Sequence, residues 1–195
     1  MRKMSLNLGF SYFFDSAMQT ATKRFAHKKL WNVVLHVLTS WPMAWAVLCI
    51  GRNFLPFSLQ YILILLKCLL CILQEPPIGF VYSIVYNLVA YYAVFVHTGV
   101  TTFQGCVVIG ICLAFQFLGH AILEGTTLQR LPTKEDNVLF KVMDLANEFF
   151  FAPFHFSLTL MIRFDSLPIL KWRSDAALHK LITATQELKY GKKGP

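Results

Sequence analysis

Four apolar runs, at about 31–50, 54–73, 78–97 and 103–123, dominate the sequence, and each is long enough to cross a bilayer as a helix, which takes about 20 residues. Gly51-Arg52-Asn53, Gln74-Glu75-Pro76-Pro77 and His97-Thr98-Gly99 separate them as turns. Composition points the same way. Of 195 residues, 56% are hydrophobic and 14% charged, with a mean hydropathy of +0.53, whereas a soluble domain carries about 25% charged residues. So few charges cannot dress a water-facing surface, which argues against a soluble enzyme, a disordered chain or a nucleic-acid binder. The expectation is one all-α integral-membrane domain over residues 1–195. It would be a polytopic bundle of about four transmembrane helices plus a short re-entrant or fifth helix.

The net charge of +8 is concentrated at the two ends of the chain. Arg2, Lys3, Lys23, Arg24, Lys28 and Lys29 stand in front, and Arg163, Lys171, Arg173, Lys180, Lys189, Lys192 and Lys193 behind. Between Leu30 and Arg130 only Arg52 and Lys67 are basic. Basic flanks mark the cytoplasmic or matrix-like side and adhere to anionic head groups. Both ends are basic, so an even number of spans is expected, and four fits. Lys67 falls inside the second run and must snorkel or face the bundle. Cys68 and Cys71 form a C-x-x-C, but it lies within LKCLLCIL and has no second pair. These two cysteines, with Cys49, Cys106 and Cys112, read as small hydrophobes.

Outside the four runs, residues 1–30 form an interfacial N-terminal segment. Asp15 is the only acid there, which also leaves a mitochondrial transit peptide open. Residues 31–163 form the bundle and 164–195 a basic tail, with a surface helix over 171–190. The stretch 124–148 is polar, with a helix expected around 135–148. The run 149–162, holding Pro153 and His155, is too short for a comfortable span and reads as re-entrant or interfacial.

Ionisable residues at membrane depth are expensive and tend to be functional. Under a four-span topology His27, His36, His120 and Glu124 share one membrane face. Asn32 and His36 fall on one helical stripe at i, i+4, and His120 and Glu124 on another. His155 can reach the same depth, His97 lies on the opposite face and His179 in the solvated tail. Neutral imidazoles with a carboxylate suit iron, zinc or manganese, and two His with one carboxylate and open positions is the pattern of non-haem Fe(II) oxygenases. The other reading is that each imidazole hydrogen-bonds locally within the bundle. No nucleophile elbow or Gly-rich phosphate loop competes.

The residues also carry a family resemblance. Phe25-Ala26-His27 with Asn32 and His36 reads F-x-H-x4-N-x3-H, followed by Pro42. Phe115-Gln116-Phe117-Leu118-Gly119-His120 with Glu124 reads F-Q-F-x-G-H-x3-E, and Ala152-Pro153-Phe154 opens the last apolar run. In this order, over about residues 20–165, these blocks resemble the 2-hydroxy-palmitate dioxygenase family, small membrane proteins of the endoplasmic reticulum that use Fe(II) and O₂ to shorten 2-hydroxy fatty acids by one carbon in α-oxidation.

The resemblance implies Fe(II) as cofactor, with His27, His36 and His120 as metal ligands; His155 is a further metal candidate from its depth alone. It implies Glu124 as ligand or supporting partner, and Asn32 as the residue that orients a ligand or substrate group. The implied substrate is a 2-hydroxy fatty acid, its tail in the bundle among membrane lipids and its head at the interface. Two departures stand out. Thr159 occupies the place where the family has Glu, and the segment between Glu124 and Pro153 is about ten residues longer than usual. They motivate an alternative: a non-catalytic accessory subunit of a larger membrane complex, such as a respiratory assembly of the mitochondrial inner membrane.

Overall fold

The computed structural model describes residues 10–125, 142–144, 146–147 and 150–190, and among these every regular element is helical. A 3₁₀ turn, Phe10–Phe14, precedes α1 (Ser16–Ala26) and α2 (Leu30–Phe54). Then come α3 (Phe57–Gln74), α4 (Pro76–Tyr91) and α5 (Thr102–Gly119). Helix α4 continues as a wider π turn over Tyr92–Val96, and α5 does the same over His120–Glu124. Last are α6 (Ala152–Arg163) and α7 (Pro168–Tyr190). The helix expected around 135–148 lies mostly outside the described residues.

Among the described residues, four helices are long and apolar enough to cross a membrane: Leu30–Phe54, Phe57–Gln74, Pro76–Val96 and Thr102–Glu124, of 25, 18, 21 and 23 residues. They match the apolar runs except at the first turn: Gly51-Arg52-Asn53, expected to separate the first two runs, continues α2 to Phe54, and the chain turns at Leu55-Pro56 because proline cannot carry the helix on. Local chemistry sets the other ends. Prolines open α3 and α4, where a missing backbone N–H costs nothing. Thr101 opens α5 with a capping box: its Oγ1 accepts from the Gln104 N–H at 3.3 Å, and Gln104 Oε1 accepts from the Thr101 N–H at 2.9 Å. The Arg52 guanidinium donates to the carbonyls of His97 and Thr98, both at 2.7 Å, and of Val100 at 3.1 Å. It thereby closes the turn between α4 and α5, which explains a lone arginine between two apolar runs.

Helix α2 is the centre of the packing, running along α5 on one side and α6 on the other. Glycines allow the close approach. A Cβ at Gly105 would lie 2.6 Å from Ile50 Cγ1, and one at Gly119 would lie 2.6 Å from Leu35 Cδ2. Helices α3 and α4 form a hairpin joined by Glu75 alone. Lys67 faces the interior of that hairpin, with its Nζ 3.5 Å from the centre of the Tyr86 ring. The ring quadrupole holds the cation where no carboxylate is at hand.

The described part of the N-terminal segment is covered by other helices. Helix α1 is polar, yet Gln19, Thr20 and Lys23 are buried, because α7 packs along one side of it and α6 covers another. Its polar atoms are met internally, as when Asn147 Nδ2 donates to Gln19 Oε1 at 3.0 Å. The tail helix α7 is held by ion pairs to the bundle, Arg24–Asp175 at 2.6 Å and Arg173–Glu75 at 2.9 Å. Helix α6 spans 12 residues and is buried through Phe154, Leu158 and Ile162. Four of the five cysteines are buried and Cys106 is exposed; all are free thiols.

Candidate metal centre

Three helices deliver one imidazole each to a single point. His27 ends α1, its backbone N–H donating to the Lys23 carbonyl at 2.8 Å. His36 lies in the second turn of α2, and His120 begins the π turn that closes α5. Such turns are rare in helices and recur at functional sites. Donor nitrogens of the three rings all lie within 4.8 Å of one another, close enough for one metal ion to reach them all. Ring centroids are 4.2 Å apart for His27–His36, 4.6 Å for His27–His120 and 5.2 Å for His36–His120. The three residues are 4 to 5% exposed.

Their hydrogen bonding sets these imidazoles apart from ordinary buried histidines. Both ring nitrogens of His36 and the Nε2 of His120 are buried without a partner. Buried polar groups are nearly always satisfied, and an orphan costs about 1–3 kcal/mol. Three converging rings with three orphaned nitrogens fit a cation that takes lone pairs rather than protons. Burial, reinforced by His36, His120 and Lys23 beside it, holds the His27 imidazole far below its ordinary range, so it is neutral at pH 7 with no proton for an incoming metal to displace.

A second group of side chains holds the rings. Asn32 Nδ2 lies 3.1 Å from His27 Nδ1 and donates to Glu124 Oε1 at 3.4 Å, and the same carboxylate oxygen accepts from the Lys29 N–H at 2.8 Å. Glu124 therefore ties the end of α5 to the α1–α2 connection and touches the cluster through Asn32. Arg163 at the end of α6 donates to the carbonyls of His27 at 3.0 Å and Lys28 at 3.2 Å, fixing that connection from the other side. Phe156 walls the cluster, stacked on His36 with centroids 4.6 Å apart and edge-on to His27 at 5.1 Å.

His155 does not join the three. Its Nε2–H donates to Gln74 Oε1 at 2.9 Å, on a different side of α6 from Phe156. His97 packs against Tyr92 and Trp45 at the far turn, and His179 is exposed on α7. Thr159 is fully buried, with its hydroxyl donating to the His155 carbonyl at 2.8 Å. Sequence reasoning missed Phe156 and Arg163. Their signal was weak, since one aromatic in an apolar run and one basic residue at its end resemble many others.

No protein-family model matches this chain, nor does any curated protein or solved structure.

The glycine of the F-Q-F-x-G-H block has a packing reason. A Cβ at Gly119 would lie 2.7 Å from Asn32 Oδ1 as well as 2.6 Å from Leu35 Cδ2. Gly119→Ala is therefore expected to push Asn32 off His27 and lower metal affinity by about 10–100-fold, the usual cost of losing an outer partner of a ligand. The fold should lose only about 1–3 kcal/mol. Metal titration and thermal unfolding of the same preparation test this: an unchanged affinity would separate Asn32 from metal binding.

Proposed function

We propose that this chain is an integral membrane protein that crosses the bilayer four times and acts as an Fe(II)-dependent dioxygenase on 2-hydroxy fatty acids, shortening them as in α-oxidation. The observation that carries the reading is the convergence of His27, His36 and His120 with ring nitrogens that have no other partner. The resemblance of the sequence blocks supplies iron as the metal and the substrate class. When bound, iron would supply activation of O₂ and coordination of the substrate carboxylate and hydroxyl.

The chain's own residues do the rest. His27, His36 and His120 hold the ion. If His27 serves it through Nε2, the ring proton sits on Nδ1, and the Asn32 amide turns its Oδ1, buried and without a partner, to accept it. Glu124 anchors the α1–α2 connection through the Lys29 N–H. Phe156 keeps water from the His27 and His36 rings, and dryness strengthens every polar contact within the site. Lys28 and Lys29, exposed directly after His27, attract the acid head group at the membrane surface. The apolar helices take up the acyl chain. The endoplasmic reticulum follows from the resemblance, and the mitochondrial inner membrane is the alternative.

A second reading, a non-catalytic accessory subunit of a larger membrane complex, draws on Thr159. Where the resemblance calls for a carboxylate, this side chain is turned back onto its own helix. Metal analysis separates the two. Purified protein loaded anaerobically with Fe(II) is expected to retain about one iron per chain and to consume O₂ with 2-hydroxy fatty acids, and His120→Ala to do neither. Protein that binds no metal after loading would remove the dioxygenase reading, and iron without turnover would favour the subunit.

A further inference from the structure

At the opposite end of the bundle from the histidines, a cleft of about 180 Å³ opens between α3 and α4. Its rim is aromatic: Phe57, Tyr61, Tyr91 and Phe95 are about half exposed and lie against one another, with Phe57 and Tyr61 stacked at 6.0 Å and Phe57 and Phe95 edge to face at 5.2 Å. These rings stand on surfaces that face lipid if the helices cross a membrane. Two amides line the cleft, and both have committed their N–H groups elsewhere. Gln60 Nε2 donates to the Leu48 carbonyl at 2.7 Å, which fixes the orientation of the amide and leaves Oε1 buried without a partner, in a residue 4% exposed. Asn87 Nδ2 donates to the Ser83 carbonyl at 2.8 Å and to Cys68 Sγ at 3.3 Å, and neither bond uses its Oδ1. The cleft is thus lined by one orphaned acceptor, Gln60 Oε1, and by the Tyr61 and Tyr91 rings, and carries no charge.

An orphaned acceptor in an apolar surrounding calls for a donor. In a membrane the donor must arrive on an apolar body that enters from the lipid side. Flat, stiff aromatic walls favour a flat, rigid body over flexible acyl chains, which lose more freedom on binding. Gln60 lies one turn below Pro56, where α3 begins, so the acceptor sits near the depth at which a hydroxyl head group meets the interface. We propose that this cleft is a sterol-binding site in which the sterol hydroxyl donates to Gln60 Oε1 while the rings lie against the aromatic rim. The site depends on the chain lying in a bilayer and is independent of the metal centre, so it stands or falls apart from the proposed catalysis.

The test is photolabelling of full-length protein in vesicles with a diazirine sterol, followed by peptide mapping. Saturable labelling confined to α3 and α4 and competed by unlabelled sterol is expected. The corresponding ketone, which has an acceptor where the sterol has a donor, is expected to compete about tenfold less well, the effect of one buried hydrogen bond. Ala90→Phe, which fills the floor of the cleft, is expected to abolish labelling, and Gln60→Leu to make sterol and ketone equivalent. Because the sterol–ketone comparison is made on the wild type, it decides the matter even if a variant fails to fold. Equal competition by the ketone, better competition by diacylglycerol, or labelling spread over all lipid-facing helices would each overturn the assignment.

Discussion

Protein carrying His36→Leu is expected to bind no transition metal, while its metal-free form unfolds at the wild-type temperature or above it. The two halves of this prediction come from one fact. Both ring nitrogens of His36 are buried without a partner, so in the absence of metal the ring carries an unmet polar cost that an apolar side chain does not. Leucine keeps much of the volume and the contact with Phe156, whose ring is stacked on the imidazole at 4.6 Å. The loss in metal affinity should exceed the roughly 10–100-fold cost of removing an outer partner, because a ligand atom is gone. Differential thermal unfolding reads both effects. Wild type should gain about 2.7 kcal/mol from metal at a hundred times its dissociation constant, and the variant nothing. A variant that keeps the metal-induced shift, or whose metal-free form is destabilised by several kcal/mol, would show His36 to be an ordinary core residue.

Gly79→Ala is expected to be among the most damaging single substitutions away from the site. Helices α3 and α4 turn back on one another through Glu75 alone, and Gly79 passes so close to the end of α3 that a Cβ would lie 2.2 Å from the Cys71 carbonyl oxygen and 2.6 Å from Ile72 Cα. Those are backbone atoms, which no rotamer change can move aside. The helices must separate, exposing the packing around Cys71 and Ser83. A cost of about 3 kcal/mol or more is expected, the upper end for overpacked sites. The sensitive readout is the Cys71 thiol. It is fully buried in the wild type and should react with a small maleimide much faster in the variant, in detergent at a temperature where both remain folded. A Cys71 that stays protected would mean that the hairpin absorbs the methyl group. Gly110 serves as the control, since a Cβ there meets nothing within 4 Å.

Much of the architecture is legible in the chain itself because its causes are local. A helix long and apolar enough to cross hydrocarbon satisfies its backbone groups internally, so its length and position appear as mainly apolar runs, broken in the second by Lys67. The turns carry their own marks, in Pro56, Pro76-Pro77 and the Thr101–Gln104 capping box. The pairings Asn32 with His36 and His120 with Glu124 also follow from helical spacing, although His120–Glu124 forms a π turn that brings Glu124 onto the backbone of Lys29.

Contacts between distant segments decided the rest. His155 and Phe156 are adjacent, and successive residues on a helix point about 100° apart, so only the docking of α6 against α2 and α1 determines that Phe156 walls the histidines while His155 turns to Gln74. A reading by type favours the histidine. Polar α1 resembles a surface segment until α7 and α6 cover it. The sequence by itself determined how many of the described helices are apolar enough to cross a membrane and which residues are able to bind metal, because each of those properties belongs to a short stretch of chain. Only the tertiary structure decided which nitrogens meet and which are left without partners. Satisfaction of a buried polar atom depends on neighbours tens of residues away, and no local pattern encodes them.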